Sequence, residues 1–123
     1  MTVSDIISTV NRLKPNAYDD TDKAKWLSEV EGMIFDELVK ASENGKDEHF
    51  YPIDYDSMPD RRLYADDRFS QLYVYYLFSK IDFMDNNISQ YNNDTAMFNA
   101  EYENFCSWFI RNNTPKKQGG FYV

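Results

Sequence analysis

The sequence predicts an all-α protein: about four helices in a compact bundle, with a long loop between the second and third helices. Apolar side chains recur every three or four residues over four stretches, which places them on one stripe of a helix. Only four glycines and four prolines interrupt the 123 residues, and this favours long regular elements. At this length we expect a single helical domain over residues 1–112, followed by a flexible, extended C-terminal tail at residues 113–123.

The first helix is predicted close to the start of the sequence, where the side chain of Ser4 can accept hydrogen bonds from the free amides of the first turn. Asp5 suits the positive end of the helix dipole. Pro15 ends the helix because its ring disfavours the helical conformation at Lys14. The predicted buried face comprises Val3, Ile6, Ile7, Val10 and Leu13.

A second helix is predicted after a short turn, with Asp20 or Thr21 as its N-cap. Asn44 and Gly45 supply a left-handed stop beyond its C-terminal end. Gly32, in the middle, costs about 1 kcal/mol relative to alanine. We expect it at a close helix crossing, with a functional hinge as the alternative. The predicted stripe comprises Trp26, Leu27, Val30, Met33, Ile34 and Leu38.

Residues 46–65 follow neither the helical nor the strand period and are predicted to form a loop. Loops of this length are uncommon in small domains and are usually functional or disordered. Large apolar groups in this loop argue against disorder. Either the loop wraps the helices of its own chain or it docks on a neighbouring chain. The groups concerned are Phe50, Tyr51, Ile53, Tyr55, Met58, Leu63 and Tyr64.

Two long helices are predicted after the loop, the third opening at Asp66 and the fourth ending near Asn113. Residues 91–94 predict a break between them, with Asn93 or Asp94 capping the fourth helix, and one continuous helix is the alternative. The stripe of the third helix comprises Phe69, Leu72, Tyr73, Tyr76, Leu77, Ile81, Met84 and Ile88. The stripe of the fourth comprises Met97, Phe98, Tyr102, Phe105, Trp108 and Phe109.

The third helix also carries apolar groups off its stripe, at Val74, Tyr75 and Phe78. A helix that is apolar on more than one face is buried on more than one face. Because tyrosine and tryptophan are enriched at the cores of interfaces, we expect a second surface covered by another subunit or a partner. The candidate interface residues are Phe50, Tyr51, Tyr55, Met58, Tyr75, Phe78, Phe121, Tyr122 and Val123.

The sequence carries little catalytic chemistry, so we expect no enzyme, no cofactor and no metal site. It has no phosphate-binding loop, dinucleotide fingerprint or nucleophile elbow. His49, the only histidine, is expected to be a solvated loop residue, and a hydrolase using it with Asp54 or Asp56 is the remote alternative. Cys106 is the only cysteine, which excludes an intramolecular disulfide, and we expect it to be a small hydrophobic side chain.

The net charge of −8 argues against a nucleic-acid binder, because neutralising phosphates requires clustered lysine and arginine. Solubility is the simplest reason for the acidity. The alternative is an acidic inhibitor that mimics DNA and binds a basic nucleic-acid enzyme. Because no stretch approaches a membrane span and no signal peptide is apparent, we expect a soluble protein made in a cytoplasm, with no membrane partner.

Four groups of residues, in order along the chain, carry a family resemblance. They read Val-Asn-Arg-Leu-Lys-Pro-Asn at 10–16 with Asp19, Asp20 and Lys-Trp-Leu at 25–27; Leu-Tyr-Val-Tyr-Tyr-Leu at 72–77 with Lys-Ile-Asp at 80–82; Tyr-Asn-Asn-Asp-Thr-Ala-Met-Phe-Asn at 91–99; and Tyr102 and Phe105 leading to Asn112 and Pro115. In these packing and capping motifs the chain resembles the small α-helical head–tail connector (neck adaptor) proteins of tailed bacteriophages and prophages. Residues 50–63 depart from the family pattern.

The resemblance implies an all-α bundle of about four helices and a ring of identical subunits beneath the portal at the capsid vertex. It also implies portal and tail-side proteins as partners, a location in the virion, and assembly in the cytoplasm of the bacterial host. A ring formed head to tail needs two different adhesive faces on each subunit. The candidates are the second apolar faces of the third and fourth helices, the loop at 46–65 and residues 121–123. Residues 121–123 could add to a neighbour as a strand or peptide.

Overall fold

The structure is a computed structural model that describes residues 1–42 and 48–113. Within these residues the protein is all-α, as predicted, and its helices surround one hydrophobic core. The helices are α1 (Val3–Leu13), α2 (Asp20–Ile34), α3 (Ser70–Met84) and α4 (Ile88–Asn113). A π-helical turn (Phe35–Val39) extends α2, and a 3₁₀ turn (Asp67–Phe69) precedes α3.

α1 begins at Val3 because Thr2, and not the predicted Ser4, caps it. Thr2 Oγ1 accepts a hydrogen bond from Asp5 N at 3.2 Å, and Asp5 Oδ2 accepts one from Thr2 N at 2.9 Å. The two side chains thus form a reciprocal capping box. The predicted buried face of α1 is correct for every residue but Leu13, which lies in the last turn and is 52% exposed. The buried residues of α1 are Val3, Ile6, Ile7 and Val10.

α2 begins immediately after its N-cap, Asp19, one residue before the predicted caps. The prediction that Gly32 lies at a close helix crossing is wrong. A Cβ atom at Gly32 would lie 3.5 Å from the ring of Phe50, so this glycine faces the long loop. The π-helical turn Phe35–Val39 was not predicted, and the stop predicted at residues 44–45 lies outside the described residues.

Residues 48–66 of the loop wrap the helices of their own chain, which was one of the two alternatives. Ile53, Leu63 and Ala65 are buried, and Phe50, Tyr55 and Tyr64 pack against the core from partly buried positions. Val3 N donates a hydrogen bond to Arg61 O, and Ser4 N donates one to Pro59 O, both at 2.9 Å. The loop therefore satisfies two amides of the first turn of α1 that have no partner within the helix.

α3 is the central helix and packs against α1, α2 and α4. Its burial on several sides explains why apolar residues surround it. Val74, which lies off the predicted stripe, is 2% exposed, while Tyr75 and Phe78 are partly buried against the same core. The chain's own helices thus cover much of the second apolar face, which the sequence assigned to another subunit.

α3 ends in a Schellman motif and does not continue into α4. Asn86 adopts a left-handed conformation with φ of 60°. Its amide donates to Phe83 O at 3.2 Å, and the amide of Asn87 donates to Asp82 O at 2.9 Å. These two bonds satisfy carbonyl groups of the last turn, and the left-handed residue reverses the chain. The connection between the two helices is therefore only residues 85–87.

α4 runs without interruption through residues 91–94, so the break predicted there is wrong. The cap is Asn87, whose Oδ1 accepts a hydrogen bond from Gln90 N at 3.3 Å. The predicted caps, Asn93 and Asp94, lie inside the helix, where Asp94 is 4% exposed. The end of α4 at Asn113 agrees with the prediction, and the predicted tail beyond it lies outside the described residues.

Candidate functional site

Three large apolar side chains are exposed at the end of the bundle where α3 connects to α4. We call Phe83, Met84 and Ile88 the hairpin patch; they are 59%, 57% and 57% exposed. Met84 and Ile88 belong to the predicted buried stripe, and that prediction is wrong for both. Burial was predicted wrongly here because the chain reverses at residues 85–87. No further helix turn covers Met84 and Ile88. Apolar groups clustered on a surface favour contact with another molecule.

A second apolar surface lies at the opposite end of α4. A groove of about 270 Å³, which we call the α2–α4 groove, separates the π-helical turn and the residues after it from the last turns of α4. Its apolar lining includes Leu38, Ala41, Phe109 and Ile110. A helix rises 1.5 Å per residue, so Ile110 lies about 33 Å from Ile88 along α4. The hairpin patch and the groove are thus separate surfaces.

The predicted interface residues fall into three groups. Tyr51 and Met58, in the loop, are 68% and 45% exposed, which suits a contact surface. The partly buried group, which packs against the core of its own chain, comprises Phe50, Tyr55, Tyr75 and Phe78. The group outside the described residues comprises Phe121, Tyr122 and Val123. The exposed residues of the hairpin patch were not among the predicted interface residues.

A buried ionic cluster joins α1 to α3 and α4. Lys14 Nζ lies 2.5 Å from Asp82 Oδ1 and 3.1 Å from Asp94 Oδ2. It also lies 4.8 Å from the centroid of the Phe78 ring, which attracts a cation. Both carboxylates are almost fully buried, at 3% and 4% exposure. One cation therefore serves two acids that belong to different helices.

The second acid of this cluster affects the protonation of the first. Burial raises the pKa of Asp82, and contact with Asp94 raises it further, whereas the bond to Lys14 lowers it. Asp82 Oδ2 is buried with no hydrogen-bond partner in the described part of the chain. A proton shared with Asp94 would give that oxygen a partner, in agreement with the raised pKa.

A second polar cluster fastens the loop to α2 and α3. Glu31 is 1% exposed; its Oε2 accepts a hydrogen bond from Tyr64 N at 2.9 Å, and its Oε1 accepts one from the Tyr73 hydroxyl. That hydroxyl accepts a bond from Ala65 N at 3.0 Å. Burial raises the pKa of Glu31 to about 7, against the opposing effects of the bonds from Tyr73 and Tyr64 and of the charge of Arg61.

Sequence reasoning missed both clusters, although a signal for one was present. Glu31 follows Leu27 by four residues and precedes Ile34 by three, so it occupies a position on the predicted buried stripe of α2. A charged side chain at such a position requires a buried partner. Asp94 gave no such signal because it was assigned to a break.

Metal binding and membrane insertion can both be compared with the described residues. No group of three His, Cys, Asp or Glu side chains in 1–42 and 48–113 is placed to hold a metal ion. In the same ranges, no helix combines the length and apolar character needed to cross a membrane. His49 is exposed, and burial chiefly raises the pKa of the Cys106 thiol, so that group is held in its neutral form.

The described structure thus combines two closed polar clusters with two open apolar surfaces. The clusters hold helices and loop together; the carboxyl groups of both are buried, and the side chain of Lys14 is partly exposed. The hairpin patch is exposed, and the α2–α4 groove has a largely apolar lining, so both are suited to binding through apolar contact. Comparisons of the chain with protein-family models, with curated proteins and with solved structures found no match.

Proposed function

We propose that the protein is a structural, non-enzymatic subunit of a head–tail connector in a tailed bacteriophage or prophage, where identical copies form a ring between portal and tail. The observation that carries this proposal is the separation of the hairpin patch from the α2–α4 groove along α4. A ring built head to tail requires two different surfaces on each subunit. Covering exposed apolar groups with a neighbour is favourable because it removes them from water.

The family resemblance supports the same role. Residues 72–77 and 91–99, two of the stretches that carry it, lie in α3 and α4, which pack against each other in the bundle. The partners in this proposal are other copies of the chain, the portal and tail-side proteins. The protein would assemble in the cytoplasm of the bacterial host and remain in the virion. The exposed loop residues Tyr51 and Met58 offer further contact area.

The acidic DNA mimic receives less support from the structure. A mimic needs a regular array of exposed carboxylates that reproduces the spacing of phosphates. Three of the acids, Glu31, Asp82 and Asp94, are buried and bonded inside the bundle, so they cannot contribute to such an array. In the remote hydrolase alternative, the general base would be His49, which is exposed in the loop, and we do not propose that activity.

The proposal is tested by measuring assembly alone and on the portal ring of the same virus, by sedimentation and electron microscopy. Ile88→Asp places a charge in the hairpin patch at the first residue of α4, where an acid suits the helix dipole, so folding is retained. We expect it to abolish ring formation and to weaken portal binding at least tenfold. Ser89→Asp, at the next exposed position, is the matched control and should assemble normally.

Two outcomes would contradict the proposal. The first is a parent protein that neither forms a ring by itself nor binds the portal. The second is an equal loss of assembly in both variants, which would trace the effect to added negative charge and not to the hairpin patch.

A further inference from the structure

The α2–α4 groove adjoins the point where the chain leaves the described structure. Asn113 is the last residue of α4 and also lines the groove. Pro115 follows in the sequence, and its ring disfavours a helical conformation at the residue before it. Residues 114–120 can span at most about 23 Å when extended, and the groove begins at the start of that span.

The sequence of residues 114–123 complements the groove chemically. Its apolar residues stand together as Phe121, Tyr122 and Val123, and the groove offers an apolar lining of matching character. Gly119 and Gly120 precede them and permit a reversal of the chain without steric cost.

The charges of residues 114–123 are opposite in sign to those beside the groove. Lys116 and Lys117 are the only charged side chains in residues 114–123. Asp36 and Glu37, on the π-helical turn, are exposed, and Glu37 lines the groove. The Tyr102 hydroxyl donates a hydrogen bond to Glu37 Oε2 at 3.1 Å, which holds that carboxylate at the rim. Opposite charges on the two segments therefore favour the same placement as the apolar residues.

We propose that residues 121–123 bind in the α2–α4 groove of their own chain. A short tether gives a local concentration in the millimolar range, so in dilute solution the chain's own segment outcompetes that of a second copy. The inference goes beyond the proposed function and concerns the free chain, whether or not that chain later builds a ring. In a ring, the same contact would have to open before residues 121–123 could reach a neighbour.

The test uses the full chain and backbone ¹⁵N relaxation measured by NMR at low concentration. Docked residues 121–123 should have order parameters above about 0.6, the value below which a backbone counts as flexible. Ala41→Arg introduces a long charged side chain into the groove at an exposed position and should lower these order parameters below about 0.6. Ala100→Arg, at an exposed position of α4 outside the groove, is the matched control and should leave them unchanged.

A Phe121→Ser and Tyr122→Ser double variant gives the reciprocal readout. It should shift the amide resonances of Leu38, Ala41, Phe109 and Ile110 while leaving those of the hairpin patch unchanged. Order parameters below about 0.6 in the parent would overturn the proposal, as would equal values in the two arginine variants. Ordering that appears only as the protein concentration rises would assign the groove to a second copy instead. None of these results depends on portal binding, so failure here is separate from failure of the proposed function.

Discussion

Glu31 makes the stability of the fold depend on pH. Its pKa rises from 4.5 in the unfolded chain to about 7 in the folded protein, where burial disfavours the ionised form. A raised folded-state pKa stabilises the protein fully below pH 4.5, and this contribution is lost as the pH rises through about 7. The free energy of unfolding should therefore fall by about 3 kcal/mol between those limits.

Glu31→Gln removes the titrating group and should flatten this pH dependence. The measurement is urea unfolding of both proteins at intervals from pH 4.5 to pH 8. Burial also raises the pKa of Asp82, which gives a dependence of the same sign above the ordinary pKa of that group. An unchanged slope in the variant would show that Glu31 is not the group responsible.

Among the lysines with some solvent exposure, Lys14 should cause the largest loss of folding stability when it is replaced. Its loss in Lys14→Met leaves Asp82 and Asp94 buried without a counterion, and breaking a buried pair in this way costs about 3 kcal/mol or more at neutral pH. Lys25→Met, at an exposed position, is the control and should change stability by less than about 0.5 kcal/mol.

The contact between Lys14 and Asp94 can be tested within the same cluster by a double-mutant cycle. Adding Asp94→Asn to Lys14→Met removes one uncompensated charge, so the double variant should be more stable than Lys14→Met alone. Urea unfolding of the four proteins completes the double-mutant cycle. Independent, additive effects of the two substitutions would contradict the assigned contact.

Single positions of the core were predictable where burial follows helical periodicity. Leu72, Leu77 and Phe105 are fully buried, as the stripes predicted. Periodicity indicated burial for Glu31 but not for Asp82 or Asp94, because the burial of those two acids depends on a partner far along the chain. Lys14 and Asp94, for example, are 80 residues apart in sequence.

At the scale of elements, the connection between α3 and α4 depends on the conformation of Asn86. A residue with a Cβ atom and φ of 60° is strained, although asparagine tolerates this conformation better than most. Asn86→Ala should therefore destabilise the protein by about 1 kcal/mol. Asn86→Gly should be within about 0.5 kcal/mol of the parent, because glycine adopts positive φ readily but is more flexible when unfolded.

Asn92→Ala provides the control for this element. Asn92 is exposed within α4, where alanine favours the helix, so the substitution should be neutral or slightly stabilising. Thermal unfolding of the three variants against the parent is the measurement. Equal effects of alanine at 86 and 92 would contradict the role of the left-handed residue.

The helices could be predicted from the sequence, but the break between the last two could not be placed. Residues 91–94 and residues 85–87 are both polar and rich in asparagine, so composition alone does not choose between them. The choice depends on tertiary contacts. Asp94, within α4, binds Lys14, the residue that caps the C-terminal end of α1. Asn86 and Asn87 complete the end of α3. The predicted cap at Ser4 failed for a local reason, since Thr2 pairs with Asp5.

For the whole molecule, the net charge of −8 sets how assembly responds to salt. Copies of one acidic chain repel each other, and salt screens the repulsion while leaving apolar contact intact. Ring formation should therefore strengthen as ionic strength rises from about 0.01 M to about 0.15 M, as measured by sedimentation. A DNA mimic bound to a basic enzyme should show the opposite response, because screening weakens that attraction.

The candidate surfaces were only partly predictable at this scale. Aromatic composition indicated that some apolar surface would remain available, and Tyr51 and Met58 are exposed. The hairpin patch was missed because two of its residues, Met84 and Ile88, follow the helical period of the core. Whether such a residue is buried depends on where the chain reverses, and that position was predicted six residues too late.

Gly32 also affects the thermal stability of the protein. An added Cβ would be 3.5 Å from the Phe50 ring, an ordinary contact distance, and the glycine has no positive φ to require its flexibility. Gly32→Ala should therefore gain about 1 kcal/mol and raise the melting temperature by about 4 °C in calorimetry. A lower melting temperature would mean that the ring cannot accept the methyl group. The protein thus keeps an untapped margin of thermostability at a position where α2 meets its own loop.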